Sequence, residues 1–181
     1  MNKKLNMGCN RKKLNGYLNA DINNNTNPDM VVPPLPQRQP FKDKEFDEVL
    51  FDNCMQYVPV IDIVPSLKEM CRIGKKVIVS FSPKNMVGST IFERGINMIG
   101  YSILSFYYLD EENRKSKSWR DWDYDFKINK IWFELNFRRF WHVRLLEWWV
   151  NKSKRNQQLY ENSCLFYLFP ARWIWIEFKG V

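Results

Sequence analysis

The stretch Lys76-Val77-Ile78-Val79-Ser80-Phe81 decides the fold. Six residues dominated by β-branched and aromatic side chains, preceded by Gly74, read as a buried strand. Just upstream, Ile61, Val64, Leu67, Met70 and Cys71 recur at spacings of three and four, the period of an amphipathic helix. Pro65 lies inside that run, which predicts a helix starting near it with proline in the first turn. Gly74 is the expected C-terminal stop. One step further back, Phe46 to Asn53, centred on Val49-Leu50-Phe51, reads as another buried strand. Strand, helix and strand in this order predict a right-handed parallel crossover.

Short strand-like runs lie before this unit: Lys4 to Cys9, Tyr17 to Ile22, and Asp29 to Val32, the last stopped by Pro33 and Pro34. Beyond it, residues 85–109 are apolar with helical stretches, and 110–125 are polar and charged like a loop. Phe126 to Leu135 alternates as a strand, and residues 136–150 carry apolar and basic residues at helical spacing. Tyr160 to Phe169 extends the helical region until Pro170 breaks it. Arg172 to Lys179 alternates strictly, with Ile174, Ile176 and Phe178 on one face. Strands alternating with helices argue for an α/β sandwich with a mainly parallel sheet.

The 181 residues fit a single domain, 1–181, and 45% hydrophobic content supports a packed core. The longest uncharged stretch, Gly95 to Leu109, is 15 residues and falls short of the roughly 20 needed to span a bilayer. Met1-Asn2-Lys3-Lys4 leads into no apolar signal-like core. Cys9, Cys54, Cys71 and Cys164 are scattered, with no C-x-x-C pair, and His142 is the sole histidine. A Cys/His zinc site is therefore not expected, no metal is assigned, and a reducing cytoplasm is the expected location. No phosphate-cradling G-x-x-x-x-G-K run is present.

The chemically informative segments are Leu5-Asn6-Met7-Gly8-Cys9-Asn10 and Gly16-Tyr17-Leu18-Asn19-Ala20-Asp21. One strand ends at a glycine and the next at an acid. In α/β sheets the ligand lies beyond the carboxyl ends of the strands. Gly8 permits close approach of backbone to ligand, and Asp21 has the position from which an acid accepts hydrogen bonds from a ribose diol. An ordinary turn followed by a surface acid has the same pattern.

Taken together, the Gly8-Cys9-Asn10 turn, the Gly16-to-Asp21 segment and the Phe46-to-Phe81 unit resemble small Rossmann-like S-adenosylmethionine-dependent methyltransferases. So do the closing Tyr160-Glu161 and Phe169-Pro170-Ala171-Arg172. The resemblance covers about residues 3–109 and 126–181. It implies a three-layer sandwich with a seven-stranded, mostly parallel sheet containing one antiparallel strand. It also implies S-adenosylmethionine as cofactor, lying across the ends of the first, second and fourth strands. On that basis Gly8, Cys9 and Asn10 would line the methionine and ribose, Asp21 would bind the ribose hydroxyls, and Ile22 would pack on the adenine. Asp52 and Asn53 would face the methyl-bearing end and are the candidate catalytic residues. The implied activity is methyl transfer to a saccharide or small molecule, phosphorylated or lipid-linked acceptors included.

The sequence also departs from the family pattern. Asn10 stands where the family has a second glycine, though asparagine tolerates left-handed backbone better than most residues. Only Asn10 to Asn15 separate Cys9 from Gly16, too few for a normal crossover, so the first helix is expected to be reduced or missing. Pro33-Pro34-Leu35 replaces the acid that often follows the third strand. Asp52-Asn53-Cys54-Met55-Gln56-Tyr57 replaces a Ser-His-x-x-Glu-His run, so proton abstraction by histidine is not expected. These losses also motivate an alternative, a catalytically inactive methyltransferase-like scaffold. Methyl transfer needs mainly in-line positioning and removal of one proton, so it tolerates a site with few conspicuous residues.

The net charge of +8 is concentrated in one segment. Residues 113–155 carry 12 Lys/Arg against 5 Asp/Glu, net +7, and six of the eight Trp. Within this basic Trp-rich region, about 110–155, Phe137, Trp141, Leu145 and Trp148 share one helical face, with Arg138, Arg139, Arg144 and Lys152 largely off it. Three readings stay open: an apolar stripe packed on the sheet beneath a solvated basic face, attachment to an anionic membrane surface, or nucleic acid held by cations and stacking rings. Arg138, Arg139 and Arg144 are the candidate acceptor or anion contacts.

Overall fold

The computed structural model describes residues 3–81, 83 and 126–179. The expected helical stretches of 85–109 and the charged loop of 110–125 lie outside the described residues. In chain order the elements are β1 (Lys4–Met7), β2 (Leu18–Asp21), β3 (Met30–Val31), β4 (Glu48–Phe51), α1 (Val60–Ile73) and β5 (Lys76–Phe81). Then follow β6 (Lys127–Leu135), α2 (Trp141–Asn151), α3 (Lys154–Glu161), α4 (Leu165–Leu168) and β7 (Ala171–Lys179). They build a seven-stranded sheet in the order β3-β2-β1-β4-β5-β7-β6. β1 to β5 pair in parallel, whereas β7 is antiparallel to both β5 and β6. The implied architecture, a mostly parallel seven-stranded sheet with one antiparallel strand, is the observed one.

The strand Lys76–Phe81 forms as its composition predicts, with Val77, Val79 and Phe81 fully buried. Its parallel partner β4 is reached through α1, whose Ile63, Leu67, Met70 and Ile73 face the sheet. Each such side chain contributes about 1.5–3 kcal/mol by leaving water. The helix starts at Val60 and not near Pro65, which sits a turn inside it. Pro59, extended at φ −54° and ψ 145°, caps the start, and Asp62 in the first turn complements the helix dipole. The hydrogen bond Pro65 cannot donate would have gone to Ile61, a residue 84% exposed, where water can take the orphaned carbonyl. Gly74 does end the helix, but in an extended conformation. It is glycine for space, because a Cβ there would meet Val49 Cγ2 at 2.6 Å.

No α-helix lies between β1 and β2, between β2 and β3, or between β3 and β4. Buried asparagines organise the first connection in its place. Asn19 Oδ1 accepts from Asn6 Nδ2 (3.0 Å) and from the Leu14 amide (2.8 Å). Asn19 Nδ2 donates to the carbonyls of Leu14 and Tyr17 and to Asp29 Oδ2 (2.8 Å), while Asn6 Nδ2 also donates to the Lys12 carbonyl. Asn6 and Asn19 are each only 4% exposed. In the β3–β4 connection, Arg72 of α1 donates to the Gln39 and Phe41 carbonyls and pairs with Asp43 at 2.6 Å. Side chains thus supply the order that helices supply in a full crossover.

At the other end of the sheet, Ile174, Ile176 and Phe178 of β7 are fully buried, as the alternation predicts. β6 is an edge strand, and its outer backbone is covered by side chains of α2 and α3. Asn151 accepts from the Phe133 amide at 2.7 Å and donates to the Phe133 carbonyl at 2.8 Å. Glu147 accepts from the Leu135 amide, and Gln157 donates to the Ile131 carbonyl. From Ile131 to Leu135 every second residue of the edge is therefore capped, which removes a template for strand addition there. This fastening sets which face of α2 points inward. Val143 and Val150 are buried, whereas Trp141, Leu145 and Trp148 are 73%, 55% and 63% exposed. The reading in which that aromatic stripe packs on the sheet is overturned.

Candidate functional site

Beyond the carboxyl ends of β1, β2 and β4 lies a cleft of about 880 Å³, within the range of roughly 300–1,000 Å³ typical of small-molecule sites. Gly8, Cys9, Asn10, Asp21, Ile22, Asp52 and Asn53 all line it. The sheet explains why they meet: β1 pairs with β2 on one side and β4 on the other, so the residues after all three strands emerge together.

The turn after β1 is left-handed at Gly8 (φ +68°) and again at Asn10 (φ +47°). A Cβ on residue 8 would lie 2.6 Å from Cys54 Sγ and 3.2 Å from the Phe51 ring. Gly8 is thus required both by conformation and by space. Asp21, 7% exposed, ties this turn to β2. Its Oδ2 accepts from the Asn10 amide at 2.7 Å, and its Oδ1 from the Asn23 amide at 2.9 Å. A carboxylate offers about four acceptor positions, so two remain for a ligand diol. Ile22 is 62% exposed within the cleft, an apolar surface free to take a flat ring. Val32, Pro33, Pro34 and Leu35 extend that apolar wall.

At the end of β4, Asp52 is held on both oxygens. Lys12 Nζ pairs with Oδ2 at 2.8 Å, and Ser80 Oγ donates to Oδ1 at 3.0 Å. Ser80 in turn accepts from the Asn53 amide at 2.6 Å, and Asn53 is left-handed at φ +56°. Cys54 reaches back to the Gly8 carbonyl at 3.3 Å. Burial, reinforced by Asp21 and Asp52, pushes its thiol up to about 12. Burial and then Asp21 raise Cys9 as well. Both thiols stay protonated near neutrality, so neither serves as a nucleophile.

Lys12, Arg172 and Trp173 are among the lining residues that escaped the sequence reading. Lys12 belongs to the basic run Arg11-Lys12-Lys13 beside the glycine turn, whose sign hinted at a carboxylate partner. Arg172 and Trp173 reach the cleft because antiparallel β7 begins at the end where the parallel strands finish. Arg138, Arg139 and Arg144 do come together, with Glu147, around a separate open hollow of about 600 Å³. None of them lines the cleft.

No family model matches the sequence, and no curated protein matches it significantly. Solved structures do match in fold. A methyltransferase dependent on S-adenosylmethionine from Archaeoglobus fulgidus aligns over 98% of this chain and 86% of its own, at 13% identity and a TM-score of 0.58. A putative methyltransferase of Haloferax volcanii, solved with the activator Trm112, aligns over 99% and 82%, at 12% identity and a TM-score of 0.57. The Synechocystis magnesium protoporphyrin IX methyltransferase, solved with bound S-adenosylhomocysteine, aligns over 99% and 74%, at 11% identity and a TM-score of 0.53. The fold is that of Rossmann-like S-adenosylmethionine-dependent methyltransferases. Within this methyltransferase fold the chain is a reduced version, with its first three crossovers built without α-helices. Among the described residues no helix is long and apolar enough to cross a membrane.

Proposed function

We propose that the protein binds S-adenosylmethionine in the β1–β2–β4 cleft and transfers its methyl group to a small acceptor. The observation that carries this reading is the Gly8 turn tied to Asp21. A left-handed glycine packed against Cys54 brings backbone to the cleft floor, and a buried carboxylate with spare acceptor capacity stands beside it. Asp21 would hold the ribose hydroxyls, Ile22 the adenine face, and Gly8 to Asn10 the amino-acid end. The bound cofactor would supply an electrophilic methyl on a sulfonium.

This chain's own part is positioning. Asp52 and Asn53 stand at the end of β4, where an acceptor would approach. Lys12 and Ser80 fix the Asp52 carboxylate so that it can orient an acceptor hydroxyl or amine and hold its proton. No histidine lines the cleft among the described residues, and Asp52 is the carboxylate placed to act as proton acceptor. A saccharide or other small polar acceptor suits the polar rim made by Lys12, Asp52, Asn53 and Arg172.

Calorimetry with S-adenosylmethionine and S-adenosylhomocysteine tests the reading. Asp21→Ala should weaken binding by about 1.5–3 kcal/mol, the loss of hydrogen bonds to a charged group. Ile22→Ser should weaken it while leaving folding stability unchanged, because Ile22 is exposed. No heat with the wild-type protein would instead support the inactive scaffold.

A further inference from the structure

The outward face of α2 inverts the usual rule for a surface helix. Trp141, Leu145 and Trp148 follow one another at spacings of four and three on the solvent side, opposite buried Val143 and Val150. Lys152 extends the same line and lies over the Trp148 ring at 5.1 Å. The apolar surface continues past the start of the helix, where Phe137 and Phe140 are 57% and 42% exposed. His142 packs on Phe169, and the two residues before Phe169, Tyr167 and Leu168, are also exposed. Packing does not explain the stripe, because α2 is already fastened to the sheet by Asn151 and Glu147 on its other side.

The charges beside the stripe are mostly positive, and the one acid among them, Glu147, is 15% exposed and paired with Arg138. Arg138, Arg139 and Arg144 ring the neighbouring hollow. Of these, Arg138 is committed to Glu147 at 3.0 Å, whereas Arg139 and Arg144 have no carboxylate within ion-pair distance among the described residues. The acid of α2, Glu147, is turned to the sheet edge, so the exposed face carries none.

We propose that this face docks the protein onto an anionic lipid surface, with Trp141, Leu145 and Trp148 entering the interface and Arg139, Arg144 and Lys152 meeting headgroup phosphates. Rings and aliphatic chains side by side, rimmed by cations, match the headgroup–acyl boundary. Base stacking would call for rings and leaves the exposed leucines without a purpose. The helix is too short to span and lies along the surface. It starts beyond the carboxyl end of β6, which runs in the same direction as the strands that end at the cleft. Docking would therefore present the cleft end of the sheet close to the lipid. The proposal stands on the surface alone and holds whether or not methyl transfer occurs.

The test is sedimentation of the full chain with phosphatidylcholine vesicles and with mixed phosphatidylcholine–phosphatidylglycerol vesicles, at low and high salt. The protein should bind the mixed vesicles, more weakly as salt rises. Arg139→Ala and Arg144→Ala should each lower the affinity about fivefold. Trp141→Ser combined with Leu145→Ser should lower it tenfold or more, with an unchanged unfolding midpoint because both residues are exposed. Absence of vesicle binding overturns the proposal, whether the protein then binds oligonucleotides, dimerises through this face or does neither. Vesicle binding untouched by the double substitution overturns it too.

Discussion

The two ends of the sheet break opposite rules. Around β1 and β2 polar side chains are buried: Asn6, Asn19 and Asp21 are each under a tenth exposed. Along α2 large apolar side chains are exposed. At the first end the connections are too short for helices, and an asparagine network takes over the organising role. Its cost is offset because nearly every donor and acceptor finds a partner. At the second end the helix is already anchored by its polar side chains, and its apolar stripe is exposed, the surface proposed above to meet lipid. Buried polar groups here mark internal construction, and exposed apolar ones mark an external surface.

The most severe break of the first half should come from Gly8→Val. It forces a β-branched residue into left-handed backbone and drives its Cβ against Cys54. A loss of about 3 kcal/mol or more is expected in urea unfolding, together with loss of S-adenosylhomocysteine binding. Asn19→Ala should cost about 2–3 kcal/mol, since it strips partners from Asn6, the Leu14 amide and the Asp29 carboxylate at once. If it proves neutral, the network does not stand in for the missing helix.

The same comparison separates what the sequence makes legible from what it hides. Val77, Val79 and Phe81, and Ile174, Ile176 and Phe178, are readable because a strand's two-residue period leaves one assignment of faces. The glycine turn and Asp21 are readable because few residue types suit those positions. Asn19 is not readable as an organiser, since its partners Asn6, Leu14 and Asp29 are distant or ordinary in sequence. The start of α1 is missed because Pro65 looks like a boundary, while Pro59 sets it. For α2 the period is legible and the inward face is not. The helix has two apolar stripes, and the larger one, Trp141-Leu145-Trp148, turns outward because Asn151 and Glu147 hold the other side against β6.

A pH titration sharpens the contrast at lower amplitude. Lys13 first, then the Asn19 amide and side chain, hold Asp29 down to about 2, below its ordinary value near 3.8. A depressed carboxylate stabilises the fold above its unfolded value, and that contribution fades as pH falls from there through the folded one. Amide resonances of residues 12–19 should therefore shift between about pH 4 and pH 2, ahead of any change in α2. The smallest effect belongs to Trp141→Ala. An exposed Trp should change stability by less than about 0.5 kcal/mol, against about 3–5 kcal/mol for a core one. Thermal unfolding checks it, and a large loss would return Trp141 to the interior.

Hydrogen–deuterium exchange of the full chain, with and without saturating S-adenosylhomocysteine, tests the central claim most directly. The structure predicts slowed exchange at residues 8–14, 21–26 and 50–54, with 137–152 unchanged. Unaltered exchange around the cleft, or protection centred on α2, would contradict the assignment of the β1–β2–β4 cleft as the cofactor site.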